Sequence, residues 1–140
     1  MERMAQIFAK TKTSMTSNMS IVKAKIQGPK IEVLEQRDYA VLYRERDGDG
    51  VNLVHKHYLG CDNFMDIIYI NDDGFLYVYH VHGRHDEVYL KLFVDSETRE
   101  QIRKWIEDVK TFDDSFKLFD KFLKAQFCES KKSGVYRICS

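Results

Sequence analysis

The sequence predicts an α+β fold: an antiparallel β-sheet of about five to six strands with two C-terminal helices packed on one of its faces. Three observations carry that prediction. From residue 31 to residue 94, apolar residues come in short runs broken by Gly-, Asp- and Asn-rich stretches, the pattern of strands and turns. From residue 95 onward the apolar spacing lengthens to the helical period. The chain has 140 residues, 44% of them hydrophobic and 13% aromatic, which suffices for one packed domain.

The elements follow in order. Residues 1–18 read as a flexible N-terminal arm, rich in Ser, Thr and Lys and without the apolar h-region of a secretory signal. Residues 19–140 read as a single α+β domain. Strands are predicted over 19–26 (Ile21, Val22, Ala24, Ile26) and 31–36 (Ile31, Val33, Leu34), with the turn signal Gly28-Pro29 between them. A third covers Tyr39 to Arg46, after which Asp47-Gly48-Asp49-Gly50 breaks the chain. Residues 51–59 fit two periods. Val51, Val54, His55, Tyr58 and Leu59 suit a helix, whereas Val51, Leu53, His55, His57 and Leu59 suit a strand. Ile67-Ile68-Tyr69-Ile70, then Asn71-Asp72-Asp73-Gly74, then Phe75 to His80 reads as a hairpin, and Val88 to Val94 extends it to a meander. Asp95 or Ser96 caps a helix carrying Ile102, Trp105, Ile106 and Val109 on one face. Thr111-Phe112-Asp113-Asp114 has the form of a capping box opening a second helix, whose apolar face is Phe116, Phe119, Phe122, Leu123 and Phe127. The short join makes the two an αα-hairpin. Gly134 to Cys139 returns as a last strand.

Charge and cysteines narrow the function classes. Lys plus Arg and Asp plus Glu each number 22, a net charge of zero, which argues against a nucleic-acid coat or a polybasic membrane binder. The balance is uneven, however: residues 47–95 are acidic and contain all five histidines. No apolar run reaches the roughly 18 residues of a membrane helix. The three cysteines, Cys61, Cys128 and Cys139, are odd in number and form no CxxC pair, so the expectation is free thiols and a cytoplasmic location.

The sharpest motif is histidine. His55-Lys56-His57 and His80-Val81-His82 are both HxH, and alternate strand residues point to one face, so each would present two imidazoles side by side. With Glu87 as a carboxylate, His55, His57, His80 and His82 form a candidate site for a divalent metal such as zinc, iron or manganese. The run Gly74, five residues, His80-Val81-His82, four residues, Glu87 is similar to the first metal motif of the cupins. That resemblance implies a metal held by these histidines and the glutamate. The sequence departs from the pattern at Val94, where a glycine belongs, and the proline of the second cupin motif has no counterpart, since the one proline is Pro29. His80-Val81-His82 also resembles the HUH element of rolling-circle nucleases, which pair it with a nucleophilic tyrosine on a following helix; neither C-terminal helix holds a tyrosine.

No GxSxG, P-loop, GxGxxG or HExxH is present, and Val51 replaces an oxygen ligand in the calcium-loop-like Asp47 to Gly50 segment. Cys61 near His55 and His57 offers a Cys–His pair. Lys23, Lys25, Tyr43, Arg44 and Arg46 offer a basic, aromatic face for nucleic acid. Tyr77, Tyr79, Tyr89 and Phe93 offer an aromatic patch for a protein partner. The leading expectation is a small non-enzymatic binding or regulatory protein acting through protein–protein contact. An inhibitor or accessory factor of the phage or mobile-element type fits that description. The alternatives are a metal-binding protein or metal-dependent enzyme and a nucleic-acid-binding protein.

Overall fold

The structure, a computed structural model, describes residues 30–59 and 62–140. The expected strand over 19–26, the Gly28-Pro29 turn, Lys23, Lys25 and Cys61 lie outside the described residues. Six strands run as a continuous antiparallel meander: β1 (Lys30–Arg37), β2 (Ala40–Asp47), β3 (Gly50–Leu59), β4 (Asp62–Ile70), β5 (Phe75–His82) and β6 (His85–Val94). Two helices follow, α1 (Ser96–Asp108) and α2 (Phe112–Lys124), then a hairpin of β7 (Phe127–Glu129) and β8 (Val135–Ile138). The sheet order is β1-β2-β3-β4-β5-β6-β8-β7, and β8 joins β6 in parallel.

The α+β architecture with a largely antiparallel sheet agrees with the expectation, but the described residues hold eight strands rather than five to six. Two elements account for the difference. The ambiguous residues 51–59 form β3, flanked by β2 and β4 and buried on both faces, which erases the simple alternation of a half-exposed strand. The three-residue β7 is defined only by its pairing with β8, a contact that no local pattern signals.

Turn chemistry sets the meander's register. Asn71 accepts hydrogen bonds from the backbone of Asp73 and Phe75 through its side-chain oxygen, at 3.0 Å each. Gly74 has φ +83°, and a Cβ there would lie 2.4 Å from the Val94 carbonyl oxygen. Glycine is therefore required at the point where the β4–β5 turn meets the end of β6.

Both helices pack on one sheet face. Leu42, Leu53, Ile68, Ile70, Leu76 and Val78 from the strands meet Ile102, Ile106, Phe112, Phe119 and Phe122 from the helices in one buried core. Asp95 caps α1 by accepting from the Thr98 backbone at 2.9 Å. α1 has no basic residue in its last turn, so β2 supplies the charge. The guanidinium of Arg44, 2% exposed, donates to the carbonyl oxygens of Ile106, Glu107 and Val109 at 3.1, 3.2 and 2.9 Å. Thr111 and Asp114 form the expected capping box of α2. The buried side of α2 is Phe112, Ser115, Leu118, Phe119 and Phe122, whereas Phe116 and Leu123, expected inward, are 52% and 57% exposed. Phe127, assigned to the same stripe, belongs to β7. Ser115 and Leu118 mark the change: with both facing inward, the buried stripe centres near Ser115 and Phe122, and Phe116 and Leu123 fall at its flank.

The free-thiol expectation is corrected for two of the three cysteines. Cys128 and Cys139 form a disulfide, their Cα atoms 5.8 Å apart. Pairing of β7 with β8 brings them together across a separation of 11 residues, a spacing without a sequence signature. Among the described residues, no helix is long and apolar enough to cross a membrane.

Candidate functional site

Strand register assigns each described candidate side chain to one face of the sheet. Residues directly opposite across an antiparallel pair share a face, and the face alternates along each strand. On the helix side, one row runs Leu42, His55, Asp66, His80, Glu87 across β2 to β6. The next runs Ala40, His57, Phe64, His82, His85. On the opposite, outer side, one row runs Val33, Tyr43, Val54, Ile67, Tyr79, Val88, and the next Ile31, Glu45, Asn52, Tyr69, Tyr77, Lys91.

The histidines of the candidate metal site therefore do share a face, but they are separated along it. β4 lies between β3 and β5, so the two HxH segments are two strand spacings, about 10 Å, apart. Metal–nitrogen bonds are about 2 Å long, so ligands of one ion need to converge far more closely. Phe64 fills the gap, its ring centroid 5.0 Å from His57 and 5.5 Å from His82. Among the described residues, no group of three or more His, Cys, Asp or Glu side chains is placed to hold a metal ion.

Each histidine has a different setting. His55 is fully buried and neither ring nitrogen has a hydrogen-bond partner. Its ring sits against His57 at 4.4 Å, Phe112 at 4.9 Å and Phe116 at 4.6 Å. Burial, and then the neighbouring His57, lowers its pKa from 6.5 to about 4, so it is neutral at ordinary pH. His80 donates from Nδ1 to Asp66 at 2.7 Å, both residues about a quarter exposed. That bond orients the imidazole as in a catalytic dyad. No nucleophile joins it among the contacts of the described residues, where its ring neighbours are Phe64, His82 and Tyr89. Glu87 lies across from His80 in register and is exposed.

The candidate nucleic-acid residues split between faces. Tyr43 points to the outer side, while Arg44 and Arg46 belong to the helix side. Arg44 is committed to the α1 carbonyls and to Glu32 at 2.7 Å, and Arg46 to Glu107 at 2.5 Å.

The outer face is the feature that local patterns did not separate from the core. Tyr77, Tyr79 and Phe93 lie there, together with Phe75 and Tyr69. Tyr89 does not: it is the extra residue of a bulge in β6 and packs on the helix-side core. The rings form a connected ladder, with centroids 6.2 Å apart for Tyr69–Phe75, 5.9 Å for Phe75–Tyr77, 4.4 Å for Tyr77–Tyr79 and 5.4 Å for Phe75–Phe93. Lys91 lies 5.7 Å from the Tyr77 ring centroid. Beside the ladder, Tyr43, Val54 and Ile67 form a second buried cluster with Ile31, Val41, Met65 and Tyr79, all from strands. Burial, with Glu45 next, raises the Tyr43 pKa to about 12. Val33, Val88 and Phe93 at this face remain 54%, 48% and 49% exposed. Comparison with known protein families, curated proteins and solved structures finds no match to this chain.

Proposed function

We propose that the chain is a non-enzymatic binding protein that acts on another protein through the outer face of its sheet, as an inhibitor or accessory factor does. The observation that carries this reading is the aromatic ladder of Phe75, Tyr77 and Phe93 on a sheet face to which the described helices contribute no side chain. An antiparallel sheet with one face on its core normally turns polar residues outward. Apolar side chains left about half exposed at the rim of such a face, as Val88 and Phe93 are, mark a contact site instead, and Tyr and Phe are favoured at such sites.

Charge and edges favour a protein occupant. The outer face sets Glu45 and Asp86 against Lys56 and Lys91, a balance without the basic excess that phosphates require. Strand addition at the edges is disfavoured. β1, outermost among the described strands, carries Lys30, Glu32, Glu35 and Arg37 and a bulge at Leu34, and β7 is three residues long. The cytoplasmic setting rested on free thiols, and the Cys128–Cys139 disulfide removes that support.

A photo-crosslinking residue placed at Tyr77 in the full chain tests the reading in cells of its source. The expected result is a discrete protein adduct from position 77 and none from exposed Glu97 on α1. Equal labelling from both positions, or adducts with nucleic acid alone, overturns it.

A further inference from the structure

Among the described residues, α1 and α2 leave one end of this sheet face without a helix. β3 has 10 residues, about 33 Å of strand, and two helices side by side cover only about 20 Å of it. α2 crosses at His55, where Phe112 and Phe116 meet the imidazole. Beyond the His55–Asp66 pair, β3 and β4 each continue for four residues, about 13 Å or one helix width. On that strip, the ring contacts of His57, Phe64, His80 and His82 are with one another, with His55 and with Tyr89, and none is with a helix.

The wall of the strip carries apolar side chains. Phe116 and Leu123 stand seven residues apart on α2, hence on one side of it, and are half exposed or more. Trp105 and Leu118 line a groove on the α1 side of α2, so the Phe116–Leu123 flank faces away from α1, toward the strip. Next to that flank stand Asp113 and Asp120, and the strip itself carries Asp66 and Glu87. The lysines that meet Asp113 and Asp120, Lys117 and Lys124, are 76% and 77% exposed. Such solvent-held pairs are weak and easily exchanged.

We infer that this strip seats an amphipathic helix of a partner protein, laid alongside α2 with its apolar side on Phe64, Phe116 and Leu123 and with Lys or Arg toward Asp113, Asp120 and Glu87. A helix of about 13 residues, about 20 Å long, spans the strip from β3 to β6. The site is on the opposite face from the aromatic ladder, so its success or failure is independent of the function proposed above.

The test is titration of the full chain with a Leu/Lys amphipathic model peptide of about 14 residues and with its Leu/Glu counterpart, read by backbone and methyl NMR shifts. The Leu/Lys peptide is expected to bind at least tenfold more tightly, to weaken with added salt, and to shift signals of His57, Phe64, Phe116 and Leu123. Phe116→Glu with Leu123→Glu should reduce binding at least tenfold. Both positions are already solvent-exposed, and Trp105 emission verifies that the helices stay docked. Equal binding of the two peptides, binding of neither, shifts confined to the outer face, or self-association of the chain through this strip each overturns the inference.

Discussion

The two faces of the sheet are both apolar, but they are apolar for different reasons. On the helix side, Leu42, Leu53, Ile68, Leu76 and Val78 are wholly buried against α1 and α2. Two charged groups there are held: Arg44 clasps the end of α1, and the Glu35 carboxylate accepts from the Phe112 backbone at 3.0 Å, whereas the His55 ring nitrogens have no hydrogen-bond partner. On the outer side, Tyr43, Val54 and Ile67 make a small cluster, while Val33, Val88 and Phe93 are about half exposed. The difference teaches where the energy of the fold resides. Substitutions on the helix side should cost stability, and those at the outer rim should cost contact with a partner while leaving the fold intact.

The largest expected effect is on the helix side. Phe122 is 1% exposed and wedged against Trp105 at 5.9 Å. Phe122→Ala should destabilise by about 3–5 kcal/mol in urea unfolding, the usual cost of removing a large buried ring. A loss below about 1 kcal/mol would mean that the helices contribute little to the core.

Acid should come next. A buried histidine with its pKa lowered from 6.5 to about 4 favours the folded state fully above pH 6.5. That contribution is lost as pH falls from 6.5 to 4 and stays lost below, a total of about 3 kcal/mol. His55→Phe should flatten the stability profile across this window. The Asp114 carboxylate, held below its ordinary value chiefly by the Lys110 backbone N–H, acts in the same direction but in a lower window. Its cap is intact above the usual carboxylate range and fails below it, so His55→Phe should leave that lower loss in place. An unchanged profile in the variant between pH 6.5 and 4 would remove His55 as the cause.

A smaller loss is expected at the start of α2. Thr111→Ala deletes the hydroxyl that accepts from the Asp114 backbone at 3.1 Å and should cost about 1 kcal/mol. Hydrogen exchange should localise the effect to the first turn of α2, with α1 unaffected.

Much of this arrangement is legible in the sequence, and the reasons for the remainder are physical. The Asn71–Gly74 hairpin, the Asp95 cap and the Thr111–Asp114 box are local, so their signatures survive in a linear reading. β3 resists because Val51, Leu53 and His55 are buried on one side and Val54 and Lys56 on the other. The disulfide and β7 depend on pairing between segments brought together after two helices. The candidate sites follow the same rule. The HxH spacing correctly implied imidazoles on a common face, but only the strand order reveals β4, with Phe64, standing between them. Likewise Tyr77, Tyr79 and Phe93 look like core in a pattern, and the register of β5 and β6 puts them on the side away from α1 and α2.

The most direct measurement is on the double variant Val88→Arg, Phe93→Arg, whose unfolding in urea and whose crosslinking from position 77 are followed in the same chain. The contrast between the two faces predicts a stability change within about 0.5 kcal/mol, as for ordinary surface positions, together with loss of the protein adduct. A stability loss of several kcal/mol, or an adduct that persists unchanged, would contradict it.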